Sequence, residues 1–282
     1  MITKALRFLK ALRSRQLLAI GMARAAATAP LRMLDPSNPI SWEFRALSQH
    51  GEDGILDYLT GMLSKPNRYL VEIGCGDGTE NNSTWFVLSR YWRGLMTDGK
   101  TSNVEWARYL LQPLNYGVTF RTHFVTVENI QSLINDIAVP DPDFLSLDID
   151  GNDYWVMKSL LDAGIRPKIL VVQYNSAFGP KRRISIPYQP AFVVQQGFGP
   201  SLYFGCSIAG WRALMQRCGY HFITVESAGA NAFFAAPEAF AEGFLDTISG
   251  ETFRENVSHL REYAVPWTDQ YKLIEPYDLA EI

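Results

Sequence analysis

The sequence predicts an α/β fold: a doubly wound sheet of about seven strands, mostly parallel, with an antiparallel last strand. Three observations carry this. Short apolar segments alternate with helical ones from residue 51 onward. One of those segments, Tyr69–Ile73, runs straight into glycines at alternate positions before a helix begins. The two final apolar segments are separated only by Glu226-Ser-Ala-Gly-Ala230, short enough for a hairpin.

Residues 3–28 are rich in Ala, Leu, Lys and Arg, with Leu6, Leu9 and Leu12 interleaved among Lys4, Arg7, Lys10, Arg13 and Arg15. These are good helix formers, and they predict a basic amphipathic helix. Such a helix either makes a peripheral contact with a membrane or a protein partner, or packs on its own domain. Arg24, inside the alanine-rich stretch, argues against a secretory signal. Pro30, Pro36 and Pro39 then break the chain. The organisation read from this is a helix and Pro-rich entry over 1–40, a main domain over 41–240, and a charged, aromatic extension over 241–282 with no assigned role.

Within the main domain, 51–63 reads as a helix with Ile55, Leu56, Leu59 and Leu63 inward. Buried strands are predicted at Tyr69–Ile73, Gly94–Thr97, Thr119–Thr126, Phe144–Ile149 and Ile169–Gln173, with helices near 82–92, 102–112, 129–138 and 153–163 between them. Strands separated by helices of this length require right-handed crossovers and a parallel sheet covered on both faces. A long loop from Asn175 to about Tyr203 precedes a helix at Ser207–Arg217, and strands at Tyr220–Val225 and Asn231–Ala235 close the sheet. Loops of that length inside a domain are usually functional.

Composition narrows the classes of function. The 282 residues suit one large domain, and 47% hydrophobic with 20% charged residues allow a sizeable core. A formal net charge of -3 supplies no positive field for nucleic acid. Cys75, Cys206 and Cys218 show no CxxC spacing, so the chain reads as reduced and cytoplasmic. No apolar run reaches the ~18 residues of a membrane span.

The strand at 69–73 leads into Glu72-Ile-Gly-Cys-Gly-Asp-Gly78, spaced GxGxG. The dinucleotide fingerprint is GxGxxG, whose third glycine packs a helix against a pyrophosphate, so the spacing disfavours nicotinamide and flavin. Asp98 follows the second strand, where a carboxylate can accept hydrogen bonds from both hydroxyls of a ribose. Strand, loop and acid in this order point to a nucleoside-type ligand.

On Glu72-x-Gly-x-Gly-x-Gly78, Asp98, the block Leu147-Asp-Ile-Asp-Gly-Asn-Asp153 and Asn231-Ala-Phe-Phe234, the sequence resembles the class I S-adenosylmethionine-dependent methyltransferases, specifically the FkbM-like group, over roughly Ser48 to Ala235. The resemblance implies a Rossmann-like fold with S-adenosylmethionine as cofactor. Glu72, Gly74, Gly76 and Gly78 would cradle its methionine part and Asp98 its ribose, with Cys75, Asp77, Asn82 and Gly99 also among the cofactor contacts. Thr126 and Val127 would lie near the adenine, and Asp148 completes the set. The FkbM-like block usually reads Asp-x-Glu-Gly-x-Glu, whereas this chain has Asp148, Asp150 and Asp153. Ser48-Gln-His-Gly-Glu-Asp53 looks like a subgroup feature closing over the cofactor, with Gln49 and Glu52 as contacts and His50 as a candidate catalytic residue; a helix start also favours acids at 52 and 53 on its own account.

Alternation puts Asp148 and Asp150 on one face at the carboxyl end of a strand, the edge where open α/β sheets bind ligands. Asp150 can act as general base on a substrate hydroxyl, or with Asn175 at the end of the next strand can supply oxygen ligands to Mg²⁺. The plainer alternatives are that Asp153 caps the following helix and Asp148 binds loop amides. Phe178, Tyr188, Phe192, Phe198, Tyr203 and Phe204 give the long loop the content of a pocket wall. Lys181, Arg182 and Arg183 either clamp an anionic group of the acceptor or form a solvated loop tip. His123 and His221 fall in strand-like runs and read as core residues.

The function expected is O-methylation of a small-molecule or saccharide acceptor, in a glycoconjugate or secondary metabolite, the substrate class being an implication of the resemblance. A cofactor-binding partner subunit without turnover is the alternative; an NAD(P)-dependent oxidoreductase is disfavoured by the glycine spacing.

Overall fold

The computed structural model describes residues 2–28, 31–194 and 200–282, the side chains of 2–6 excepted. Pro30, Phe198 and the side chains of Lys4 and Leu6 lie outside the described residues.

Seven strands form one sheet: β1 (Tyr69–Ile73), β2 (Arg93–Asp98), β3 (Val118–Thr122), β4 (Phe144–Leu147), β5 (Ile169–Gln173), β7 (His221–Val225) and β8 (Asn231–Ala235), in the order β3-β2-β1-β4-β5-β8-β7. Strands β1 to β5 pair in parallel, and β8 is antiparallel to both of its neighbours, β5 and β7. This is the predicted doubly wound architecture with its one reversed strand. The order turns back between β1 and β4, leaving a crevice at their carboxyl ends.

Apolar runs such as Tyr69-Leu-Val and Ile169-Leu-Val-Val are buried on both faces because helices cover both. Alternation divides them between two cores. Leu70, Met96, Phe144 and Val171 pack with Leu56 and Leu59 of α2 (Glu52–Gly61), Phe86 of α3 (Thr84–Ser89) and Val104 and Leu111 of α4 (Thr101–Leu111). Val71, Leu95, Leu145 and Leu170 face Leu133 of α5 (Ile130–Asp136), Met157 and Leu160 of α6 (Asp153–Asp162) and Trp211 of α7 (Ile208–Arg217). Each fully buried aliphatic side chain contributes roughly 1.5–3 kcal/mol, so the two layers fix the sheet's register. At the opposite end of the strands, buried Asp143 accepts from the backbone N–H groups of Asn67 (2.9 Å) and Arg68 (2.7 Å) and pairs with Lys168 Nζ at 2.6 Å, tying the starts of β1, β4 and β5 together.

α1 (Ile2–Thr28) lies across α4. Ala11, Leu18 and Ala25 are buried, and Trp106 Nε1 donates to Ser14 Oγ at 3.1 Å. A third, smaller core lies under the long loop: Phe178, Ile186, Phe192, Tyr203 and Phe204 pack together with Ile274 of α9 (Trp267–Ile274). The loop holds a short 3-10 turn at Ser176–Phe178 and the two-residue strand β6 (Ile184–Ser185), which pairs antiparallel with β9 (Ala280–Glu281). The residues after Ala235 include α8 (Val257–Tyr263) and thus brace the loop, which their charged sequence does not signal.

Two predicted strands end early. β3 stops at Thr122, where His123 N–H bonds Asp98 O at 2.9 Å and the chain turns over the crevice. β4 stops at Leu147 because the Asp153 carboxylate takes the N–H groups of Ile149 (2.9 Å) and Gly151 (2.7 Å) out of any ladder.

Candidate active site

At the crevice a cavity of about 550 Å³ is lined by Gly74 and Gly76 from the glycine loop, Asp98 and Gly99 after β2, His123, Phe124 and Val125 after β3, and Asp148 and Asp150 after β4. Gln49, Glu80, Lys100, Asn103, Asn152 and Phe192 complete its rim. The volume falls in the range of ordinary small-molecule sites, ~300–1,000 Å³.

The three glycines do different work. Gly74, at φ +96°, lies against the β4 backbone: a Cβ there would sit 1.6 Å from Asp148 O. Gly78, at φ +79°, packs on α4, with Ala107 Cβ at 3.0 Å from a built Cβ. Gly76, at φ +56°, has no atom within 4 Å of the Cβ position. It is the glycine whose backbone a ligand can approach.

Asp98 is bound by its surroundings as well as exposed to the cavity. Oδ2 accepts from Gly76 N–H at 3.0 Å, and Oδ1 accepts from Lys100 N–H at 2.8 Å and Asn103 Nδ2 at 3.1 Å. A carboxylate offers about four acceptor positions, so one remains for a ligand hydroxyl unless Asn103 turns away.

Glu72 does not reach the cavity. It is buried beneath the loop, accepting from Ser83 Oγ and from Asn82 N–H at 3.2 Å, and burial pushes its carboxyl up to about 7. Asn82 donates to Ser146 Oγ at 3.0 Å, so it too supports the loop from behind. Cys75 is buried, and burial raises its thiol well above the usual range. Asp77 pairs with Lys10 of α1 at 3.4 Å and accepts from Thr79. In the 48–53 segment Gln49 lines the cavity, whereas His50 is not among the lining residues. Glu52 is buried, joined to His50 N–H at 2.7 Å and to Asn231 Nδ2 at 2.8 Å, so it anchors the segment to β8. Glu226, missed in the sequence, shares that anchor by accepting from the N–H groups of Ala228, Ala230 and Asn231; burial and the Glu52 charge raise its carboxyl to about 7.

Asp148 is half-buried on the cavity wall. Burial first, then the charges of Asp150 and Asp153, hold its proton well above the usual carboxylate range. Asp150 is exposed at the rim with a left-handed φ of +52° and accepts from Gln173 Nε2 at 2.9 Å. A non-glycine residue held there is a strained position of the kind that clusters at working sites. Asp153, buried and raised to about 6 by that burial, is the one that binds loop amides.

Several placements differ from the sequence reading. Thr126 and Val127 do not line the cavity: Thr126 closes a turn with Asn129 at 2.8 Å, and Val127 N–H donates to Tyr188 Oη at 2.9 Å. The residues just before them, His123 to Val125, line it instead, so His123 is a wall residue and not a core one. Asn175 is wholly buried. Its Nδ2 donates to Leu202 O (2.7 Å) and Phe204 O (3.0 Å), and its Oδ1 accepts from Ala177 N–H (3.0 Å). That commits it to shaping the loop, away from any metal or acceptor. Among the described residues no group of three or more His, Cys, Asp or Glu is arranged to hold a metal ion. Of the long loop's described aromatic residues, Phe192 alone lines the cavity; Phe178, Tyr203 and Phe204 belong to the third core. Arg182 stacks on Tyr271 at 3.8 Å, and Lys181 and Arg183 are exposed. Lys100, Asn103 and Asn152 were missed: only their positions just after Asp98 and Asp150 could have signalled them.

A parallel sheet that reverses between β1 and β4, with a glycine loop and carboxylates around a cavity at that point, defines a doubly wound α/β protein with a ligand crevice. The chain belongs to the FkbM methyltransferase family: the family described as "Methyltransferase FkbM domain" matches residues 59–222. No curated protein matches the chain. Among solved structures, an O-methyltransferase from Bacillus cereus in complex with S-adenosylhomocysteine is 16% identical, with 77% of this chain and 88% of that one covered at a TM-score of 0.43. The magnesium protoporphyrin IX methyltransferase from Synechocystis PCC 6803 with bound S-adenosylmethionine is 11% identical, covering 65% and 76%, at 0.40. An S-adenosylmethionine-dependent methyltransferase from Aquifex aeolicus is 13% identical, covering 67% and 89%, at 0.38.

Proposed function

We propose that this chain is an S-adenosylmethionine-dependent O-methyltransferase acting on a hydroxyl of a sugar, glycoconjugate or secondary-metabolite acceptor. The observation that carries the reading is that an unobstructed Gly76 backbone, the Asp98 carboxylate and the Asp148–Asp150 pair share one cavity in a chain of the FkbM methyltransferase family. These residues fit the cofactor: Gly76 leaves room for close approach, Asp98 keeps an acceptor for a ribose hydroxyl, and the acid-rich wall suits a sulfonium cation. When bound, that cofactor supplies an electrophilic methyl group.

The protein's part is position, exclusion of water and a place for one proton. Phe124 and Val125 offer an apolar face for the base, Phe192 closes the rim, and Asp150 takes up the proton of the acceptor hydroxyl. Asp148 beside it, kept protonated by its burial, orients that hydroxyl. The proposed location is the cytoplasm, in keeping with three unpaired cysteines. Calorimetric titration with S-adenosylhomocysteine, repeated with NADH and with Mg²⁺ added, tests the reading. Micromolar binding of the first alone is expected; silence there with a response to NADH overturns it.

A further inference from the structure

α1 carries a face that the fold leaves uncovered. At about 100° per residue, Ala11, Ser14, Leu18, Gly21 and Ala25 form its inward stripe, and all are buried. The opposite arc exposes Phe8 (68%), Leu9 (59%), Leu12 and Ile20, with Arg13 and Arg24 along one border and Arg15 on the other. Just past the helix, Met33 is 91% exposed.

The charge on this helix is one-sided. It holds six of the chain's 26 basic residues and none of its 29 acidic ones. Among the described side chains, Lys10 pairs with Asp77, while Arg7, Arg13, Arg15 and Arg24 have no ion-pair partner. No helix among the described residues is long and apolar enough to cross a membrane.

We infer that α1 docks this face flat on an anionic lipid bilayer, its Phe and Leu side chains entering the acyl boundary while its arginines meet lipid phosphates. The apolar arc by itself would accept several occupants, and the charge decides among them. A second copy meeting this face in a two-fold contact would set α1 against α1, cation against cation. An anionic headgroup layer neutralises those cations at the depth where the apolar side chains insert. Because Lys10 holds Asp77 of the glycine loop, docking brings the cavity's loop to the membrane surface.

The test is co-sedimentation of the full chain with vesicles of phosphatidylcholine alone or mixed with phosphatidylglycerol. Binding to the mixed vesicles only, weakened by salt, is expected. The triple variant Arg13→Gln, Arg15→Gln, Arg24→Gln should lose roughly 100-fold in partitioning, at about fivefold per cation. Phe8→Asp with Leu12→Asp should abolish binding while circular dichroism retains the helix content. Equal binding to both vesicles, no binding to the mixed ones, or a concentration-dependent dimer that the Phe8→Asp, Leu12→Asp variant dissolves would each overturn the inference.

Discussion

Replacing Gly74 or Gly76 by alanine adds the same methyl group two residues apart, and the structure assigns the two changes opposite consequences. At Gly74 the new Cβ lies 1.6 Å from Asp148 O, roughly 2 Å inside an ordinary contact of ~3.5 Å. The backbone must also hold φ +96°, at a cost of about 1–3 kcal/mol for a residue with a side chain. Relief requires β4 to withdraw, straining the Asp148 N–H bond to Ile73 O at 3.0 Å and adding about 1–3 kcal/mol. The sum is about 2–6 kcal/mol, a large share of a domain's ~5–15 kcal/mol. At ~2–4 °C per kcal/mol, Gly74→Ala should melt about 10 °C lower. Gly76→Ala meets no atom within 4 Å, and its φ of +56° costs only about 1–2 kcal/mol, a drop of a few degrees. Its methyl occupies the approach to the loop backbone, so affinity for S-adenosylhomocysteine should fall tenfold or more. Differential scanning calorimetry and calorimetric titration on both variants read the two effects. A Gly74→Ala protein melting with the parent, or a Gly76→Ala protein binding like it, refutes the division of labour.

Three further outcomes follow from the same geometry. Asp98→Ala removes both the ligand-facing acceptor and the bond to Gly76 N–H, so S-adenosylhomocysteine should bind ~1–3 kcal/mol more weakly; unchanged affinity would remove Asp98 from the site. Asp53 and Asp153 at about 6 and Glu72 and Glu226 at about 7 are all raised by burial above unfolded values of ~4, so the folded state binds more protons between these values. Their contribution is fully present below the unfolded values and lost as pH rises through the folded ones: the urea midpoint should fall between about pH 5 and 7.5, less steeply in Glu72→Gln, and a rising midpoint would contradict the assignment. Cys218, only half-buried, should be alkylated first in the native protein, with Cys75 and Cys206 protected until denaturant is added; mass spectrometry showing early labelling of Cys75 would place that thiol in the open.

The architecture was legible in the sequence because its signals are local. Continuous apolar strands ending in glycine, helices of crossover length, and a five-residue connection before the last strand each constrain their own neighbourhood, and together they allow one layered arrangement. Gly74, Gly76, Asp98, Asp148 and Asp150 all line the cavity, and that placement was legible for a similar reason, since all stand at or just past the carboxyl ends of strands, where an open α/β sheet presents its crevice. What the sequence could not assign was which polar groups are already spent. Glu72, Glu52, Asn82 and Asn175 have the chemistry of ligand contacts, yet their partners are Ser83, Asn231, Ser146 and the Leu202 and Phe204 carbonyls, several of them far along the chain. A buried polar group must be satisfied, and only the tertiary structure says by whom. The same holds for Thr126 and Val127, displaced from the cavity by the early end of β3 and the reach of Tyr188. The sequence by itself determined the sheet and the class of ligand expected at the glycine loop; the tertiary structure decided the strand order, which carboxylates face the cavity and which hold the loop beneath it, because that choice depends on distances between segments that no local pattern encodes.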